Sequence, residues 1–278
     1  MTSERKRIYI VVKTYPTISE RYSELVCTAG VLEDGSWIRL YPVPFRKLDF
    51  EQKYQKFTWI DVDVVRNTKD FRLETYRPMV NTITAHPKPK KTDWDARRNI
   101  VFKNKKVYTN LQELIGKAKS EKTSLAVFKP TKIIDLIVEP AEREWDANKL
   151  SILKALSQQL TLDQTPEEIA REFEIVPKVP YKFSYRFEDD EGRKSTLMIE
   201  DWEIGMLYFK CLKKAGGDED VAKQKVRQKY FDDFISKDLH LFLGTTLKFH
   251  NIAPNPFVIV GVFPAPFQSP ERQMSIFD

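Results

Sequence analysis

The chain has 278 residues, of which 41% are hydrophobic and 31% charged, and its net charge is +6 at pH 7. These proportions exclude a mostly disordered chain, and the two cysteines support neither a disulfide framework nor a zinc site. No apolar run reaches the ~18 residues of a membrane span and the first residues lack a signal-peptide segment, so we expect a cytoplasmic protein without a membrane partner.

Alternating apolar residues predict several short strands within residues 1–85. These strands cover residues 7–14, 25–31, 36–41 and 57–65, with a fifth at 71–76. Asp34-Gly35 marks a hairpin turn between the second and third strands. Strands at this spacing predict a small twisted β-sheet or a partly open barrel, which is the first of about two domains expected from the length.

Residues 86–110 form a basic segment with aromatic residues among its charges. Trp94 and Phe102 lie between lysines and arginines that outnumber the acidic residues. Because basic side chains neutralise phosphates and aromatic rings stack on exposed bases, this pattern predicts a surface that binds nucleic acid, and we expect DNA as the partner. A solvated loop is the alternative interpretation. The predicted contact residues, including two arginines of the first domain, are Lys88, Lys90, Lys91, Arg97, Arg98, Lys103, Lys105, Lys106, Arg39 and Arg46.

Residues 111–265 predict a second domain that mixes helices and strands. Patterns of apolar residues predict helices at residues 111–118, 145–160, 204–215 and 221–235, and a capping pattern that starts at Thr165-Pro166 predicts another at residues 165–173. Extended structure is predicted at residues 124–138, 182–200 (a hairpin) and 257–263. The predicted fold class is therefore α+β, and residues 266–278 are expected to form a mobile tail.

Residue types that carry chemistry lie at the predicted strand ends of the first domain. Lys13, Arg39, Tyr41 and Arg46 are expected to line one cavity, which would suit a flipped base or a nucleotide phosphate. Glu24 with Lys13 forms one candidate catalytic pair. Partly buried packing residues and solvent-facing arginines are the alternative. Cys27 lies on an apolar strand, which favours a small buried hydrophobic residue over a nucleophile.

A second candidate catalytic group consists of Asp201, Glu203 and His240, with Asp238 and His250 nearby in sequence. If these side chains converge, they would hold a divalent cation for phosphodiester hydrolysis. A divalent cation is therefore the one cofactor that we consider, and only for the enzyme hypothesis. Their spacing does not require convergence, because Asp201 equally fits a helix N-cap and His240 the polar face of a strand. We therefore predict no metal site from the sequence.

The residues near the chain end are Gln273-Met274-Ser275-Ile276-Phe277, and the short segment before them is polar and contains Pro270. They resemble the short peptide with which many bacterial DNA polymerases, repair factors and mobile-element proteins bind the replication sliding clamp. Met274 and Ile276 replace the leucines that are commoner in that peptide. The resemblance implies that Ile276 and Phe277 fill an apolar pocket while the Gln273 amide fixes the register. A tail packed on its own domain is the alternative.

Three hypotheses about function follow from these patterns. The first is a bacterial DNA-associated protein of replication, repair, or mobile-element and defence type, which binds nucleic acid through basic residues and the sliding clamp through its tail. The second is an enzyme that acts on nucleic acid or nucleotides, such as a metal-dependent nuclease. The third is a protein-interaction subunit that binds no nucleic acid. Salt-dependent DNA binding separates the first two from the third.

Overall fold

In the computed structural model, the first part of the chain folds into a closed five-stranded β-barrel. The strands run in the order β1, β3, β4, β6, β5, and β5 pairs back to β1. Neighbours are antiparallel except β4 and β6. Two short strands, β2 and β7, lie outside this circuit. The bounds are Glu4–Lys13 (β1), Thr17–Ser19 (β2), Ser23–Leu32 (β3), Trp37–Val43 (β4), Trp59–Arg66 (β5), Thr75–Pro78 (β6) and Thr84–Ala85 (β7).

The structure describes residues 2–19, 23–87, 90, 93–159 and 176–268. The helix predicted at residues 165–173 and the clamp-type peptide Gln273 to Phe277 lie outside this part of the chain, as do Lys88 and Lys91. Within the described residues, no helix has both the length and the apolar character needed to cross a bilayer.

The second part combines two small sheets with helices. One sheet has the order β10, β11, β12, and the other the order β14, β13, β9, β8. Its strands are Val107–Tyr108 (β8), Leu125–Phe128 (β9), Lys132–Pro140 (β10), Tyr181–Glu188 (β11), Lys194–Met198 (β12), Asp238–Thr245 (β13) and Phe257–Ala265 (β14). The helices of the described chain are Trp94–Val101 (α1), Leu111–Glu121 (α2), Ala147–Gln159 (α3), Trp202–Lys214 (α4) and Glu219–Arg227 (α5). The predicted α+β class is confirmed.

The barrel and the second part share one of the three hydrophobic cores. Ile8 and Ile10 point into the barrel, whereas Tyr9 and Val11 point outwards. The outward side chains pack against Phe242 and other apolar residues of β9, β13 and β14. Burying apolar area between the two parts holds them together, at about 25 cal/mol per Å² of apolar surface removed from water.

Several local predictions differ from the structure. Helix α1 occupies part of the segment predicted as a basic surface, and Asp93 caps it by accepting from the Ala96 N–H. The helix predicted at residues 221–235 ends at Arg227 and continues as a π-helical turn and a short 3-10 turn. Residues 71–74 form a loop rather than a strand, because the Arg72 side chain turns into the protein and its Nε–H donates to the Asp70 carboxylate.

Candidate ligand-binding site

A cavity of about 320 Å³ lies between the outer face of the barrel and the sheet formed by β13 and β14. We call it the Arg39 cavity. Its barrel wall includes Cys27, Arg39 and Tyr41, and its opposite wall includes Val258 and Val260. Arg72 and Glu200 reach it from loops. Arg39 and Tyr41 alternate with the inward-facing Ile38 and Leu40 along β4, which explains why both point towards the cavity.

The two arginines of this cavity are already paired with carboxylates. Arg39, which is 2% exposed, forms an ion pair with Glu74 and donates to the hydroxyl of Ser124 at 2.9 Å. Arg72 pairs with Asp70 at 2.6 Å and donates to the Thr245 carbonyl. Because each guanidinium has its own carboxylate, the cavity has little excess positive charge for a phosphate.

Glu200 carries the one carboxyl group of the Arg39 cavity that has no partner among the described residues. Its backbone is fixed at both ends: its N–H donates to the Ile259 carbonyl at 2.8 Å, and its carbonyl accepts from the Tyr15 N–H at 2.8 Å. Burial raises the pKa of Glu200 above its usual range. A partly buried carboxyl in a cavity with a raised pKa is a common mark of a functional site.

A second cavity of about 230 Å³, which we call the Trp145 cavity, meets the first at Glu200. Thr14 and Thr17 also line both cavities. Beyond them the Trp145 cavity is lined by aromatic and basic side chains, namely Tyr15, Trp145, Lys178, Tyr181 and Lys182. Gly205 permits this arrangement, because a Cβ atom there would lie 2.4 Å from the Tyr15 ring.

Thr246, Tyr41 and Cys27 also contribute polar groups to the lining of the Arg39 cavity. The Thr246 Oγ1 is buried and has no hydrogen-bond partner among the described residues. Burial raises the pKa of both the Tyr41 phenol and the Cys27 thiol. A nucleophilic cysteine requires a lowered pKa, so the environment of Cys27 agrees with the sequence interpretation that it is inert.

The prediction that Lys13, Arg39, Tyr41 and Arg46 converge on one cavity is wrong. Arg39 and Tyr41 line the Arg39 cavity, but Lys13 and Arg46 do not. Lys13 pairs with Thr28 and Arg39 with Ala29, and because Thr28 and Ala29 are consecutive on β3, the two cations lie on opposite faces of the sheet.

Lys13 and Glu24, predicted as a catalytic pair, have different environments. The Lys13 ammonium lies 4.2 Å from the centre of the Phe45 ring and donates to the Tyr54 carbonyl. The Glu24 carboxylate accepts from Arg46 at 2.7 Å and from the Val176 N–H. Arg46, predicted to contact nucleic acid, is therefore occupied by an acid within the chain.

Asp201 and Glu203 meet at a buried lysine that the sequence analysis did not single out. The Lys56 ammonium lies 2.9 Å from Asp201 and 3.2 Å from Glu203. Burial acts to lower the pKa of Lys56, but the two carboxylates outweigh it and raise that pKa. Asp201 also caps α4 through the Glu203 N–H, as its alternative interpretation predicted. The Lys56–Asp201 pair thus joins the barrel to the residue that follows Glu200.

His240 does not join Asp201 and Glu203. Its ring packs against Phe102 at 4.8 Å between centres, and its Nδ1 lies beside Asp238. His250 hydrogen-bonds to Thr245 and to the Ala118 carbonyl. Across the described ranges, no three His, Cys, Asp or Glu side chains are grouped in a way that could hold a metal ion.

The predicted surface exposure of the basic segment is wrong for its arginines. Arg97 is 5% exposed and packs on Trp94, and Arg98 is 7% exposed and pairs with Asp238 at 2.7 Å. Lys105 donates to the Gly35 carbonyl, and burial lowers its pKa to about 8. The remaining lysines that the structure describes are exposed, namely Lys90, Lys103 and Lys106. Much of the segment therefore holds α1 and the hairpin turn at Gly35 in place.

The fold and the cavities define an α+β protein in which a β-barrel and a mixed second part enclose a ligand-sized site. The chain belongs to the family described as Domain of unknown function (DUF8757), whose model matches residues 107–278. Residues 4–103 match a second model, Domain of unknown function (DUF8758). The boundary between the two matches falls after α1, within residues 86–110. No curated protein matches the sequence.

Proposed function

We propose that this protein binds nucleic acid and takes one unstacked base into the Arg39 cavity. The observation that carries this proposal is Glu200, a carboxyl without a partner among the described residues, at the junction of two cavities. A partly buried carboxyl that no described side chain pairs, and that lies where two cavities meet, is placed to accept hydrogen bonds from a ligand. A volume of about 320 Å³ lies at the small end of the ~300–1,000 Å³ range of small-molecule sites.

The charges of the Arg39 cavity favour an uncharged ring over a phosphate. Arg39 and Arg72 are balanced by Glu74 and Asp70, and Glu200 adds a further acid. The walls are largely aliphatic, and Tyr41 adds an aromatic side chain on which a ring can stack. A nucleobase has apolar faces and polar edges, which fit these walls and these hydrogen-bonding groups.

The Trp145 cavity provides a place for the rest of the nucleotide. Lys182 is exposed and forms no ion pair with any described residue, so its charge is available for a phosphate. Trp145 and Tyr15 supply aromatic faces beside it. Aromatic residues interleaved with lysine are the usual surface for single-stranded nucleic acid.

We expect Lys182→Ala to weaken the binding of a single-stranded oligonucleotide at low salt. Loss of one phosphate contact should also reduce the slope of log K against log salt by about 1. Fluorescence anisotropy across a salt series measures both effects. Lys194→Ala is the matched control. Lys194 is an exposed lysine on β12 of the same hairpin, where it pairs with Glu188 at the end of β11 farthest from Lys182. Equal salt slopes for the two variants would remove the Trp145 cavity from the interface, and the absence of any oligonucleotide binding would favour the protein-interaction hypothesis.

We further propose that the peptide Gln273 to Phe277 binds the sliding clamp, on the strength of its residue types alone. The double variant Ile276→Ala with Phe277→Ala should abolish clamp binding in calorimetry, because it removes both apolar anchors. The melting temperature should stay nearly unchanged, and Glu271→Ala should bind like the unaltered protein. A drop of several degrees in the double variant would instead indicate a tail that packs on its own domain.

A further inference from the structure

We infer that the Arg39 cavity selects guanine among the nucleobases, an inference that rests on the proposed function. The cavity contains the Glu200 carboxyl and the buried Thr246 hydroxyl, and both lack a partner among the described residues. The other strong hydrogen-bonding groups, Arg39 and Arg72, are committed to Glu74, Ser124, Asp70 and Thr245. Glu200 and Thr246 are therefore the groups on which we base the discrimination between bases.

An ionised carboxylate presents only acceptors, and its two oxygens can accept two parallel donors. Guanine carries such donors side by side, the ring N1–H and the exocyclic N2 amino group. Adenine and cytosine each place a ring acceptor beside their amino group, and that acceptor would face a carboxylate oxygen. Uracil and thymine offer one ring N–H between two carbonyl oxygens. Guanine is therefore the base whose edge matches Glu200 without a repulsive contact.

The Thr246 hydroxyl strengthens this assignment. A hydroxyl both donates and accepts, and a buried hydroxyl without a partner is costly. Guanine has an acceptor, O6, next to its N1–H on the same edge, which would satisfy the Thr246 donor while Glu200 accepts from the two nitrogens. Adenine has an amino group at the corresponding position. Glu200 and Thr246 thus complement one edge of one base.

The test compares four oligonucleotides that differ only in one central base within a thymine background, together with the four free nucleoside monophosphates. We expect the guanine oligonucleotide to bind about 10-fold or more tightly than the other three, the range of a good bidentate contact. Tight binding of free guanosine monophosphate as well would identify a nucleotide as a sufficient ligand. Binding of the oligonucleotide alone would show that the flanking chain is required.

Glu200→Gln provides the decisive variant, because it replaces one acceptor oxygen by an amino donor with little change of shape. This variant should lose the guanine preference and bind adenine or cytosine better, since the glutamine edge complements theirs. Glu188→Gln, on the same hairpin and outside both cavities, should keep the original preference. If Glu200→Gln does not fold, the base series with the unaltered protein still decides the question. Equal binding of all four bases would overturn the guanine inference while leaving base binding intact, and no binding of any base would overturn both proposals.

Discussion

Lys56→Met is expected to destabilise the protein by about 3–5 kcal/mol, the cost of breaking a buried ion pair by removing one partner. Asp201 is 0% exposed, and without Lys56 its charge has no compensating cation at 2.9 Å. Burial would then force Asp201 to take up a proton or to reach water, and either change disturbs the cap of α4. Chemical denaturation monitored by tryptophan fluorescence measures the loss.

Lys53→Met is the matched control for this prediction, because Lys53 is an exposed lysine three residues earlier in the chain. Its effect should stay within about 0.5 kcal/mol, as for most surface substitutions. The double variant Lys56→Met with Asp201→Asn should recover part of the loss, since the asparagine oxygen can still cap α4 and no charge remains buried. A cost below about 1 kcal/mol for Lys56→Met would mean that the pair contributes little to joining the two parts.

The barrel strands were predictable because each has one face in an apolar core. Alternation in residues 7–14, 25–31, 36–41 and 57–65 predicted four of the five barrel strands, and Asp34-Gly35 predicted the first hairpin. The pairing of β5 with β1 closes the barrel through contacts distant in sequence, and no local pattern indicates it. The packing of β9, β13 and β14 on the outer face of the barrel is hidden from the sequence for the same reason.

One β-bulge explains why the predicted cavity had the wrong cation. Simple alternation along β1 places Lys13 on the outer face with Tyr9 and Val11. The register of β1 against β3 shifts between Ile10 and Val12, so Val12 joins the outer core and Lys13 turns towards the barrel interior. A bulge inserts one residue and reverses the faces of all that follow, and nothing in the residue types marks it here. On β4 no bulge intervenes between Ile38 and Leu40, so simple alternation places Arg39 on the outer face, where it lines the Arg39 cavity.

The residues that matter most in the site had weak sequence signals. Glu200 precedes Asp201, which was considered only as a metal ligand or an N-cap, and Thr246 lies in a short polar stretch after β13.

Arg72 was assigned to a strand, although its neighbour Asp70 is a local partner for an inward-turned arginine. Asp93, a good N-cap residue before a pattern that includes Val101, indicated the helix that carries Arg97 and Arg98, but no sequence signal indicated that the two arginines are buried. The sequence alone does not show whether a charged side chain is solvated or forms an ion pair in the protein interior.

Glu200→Gln is expected to stabilise the ligand-free protein at neutral pH, because the amide removes a charge that burial disfavours; the gain is about 1.4 kcal/mol for each unit by which the folded pKa exceeds the unfolded one. The pKa of Glu200 is raised in the folded state because burial disfavours its charged form. Between the unfolded and the folded pKa, the folded protein binds more protons than the unfolded chain, so its stability falls as the pH rises through that interval. The full penalty is present above the folded pKa and disappears below the unfolded one.

The gain in stability of Glu200→Gln should therefore grow as the pH rises from about 4 and reach a plateau above the folded pKa, and denaturation series at several pH values measure it. Glu188→Gln should show no such pH-dependent gain, because the Glu188 carboxylate lies outside both cavities and has a cation, Lys194, at 3.8 Å. Together with the loss of guanine preference, a stabilising substitution would mark Glu200 as a residue kept for binding at the expense of stability. A Glu200→Gln protein that is less stable at pH 7 would instead show that the carboxylate has a structural partner in the folded chain, and the argument for a ligand at that position would fail.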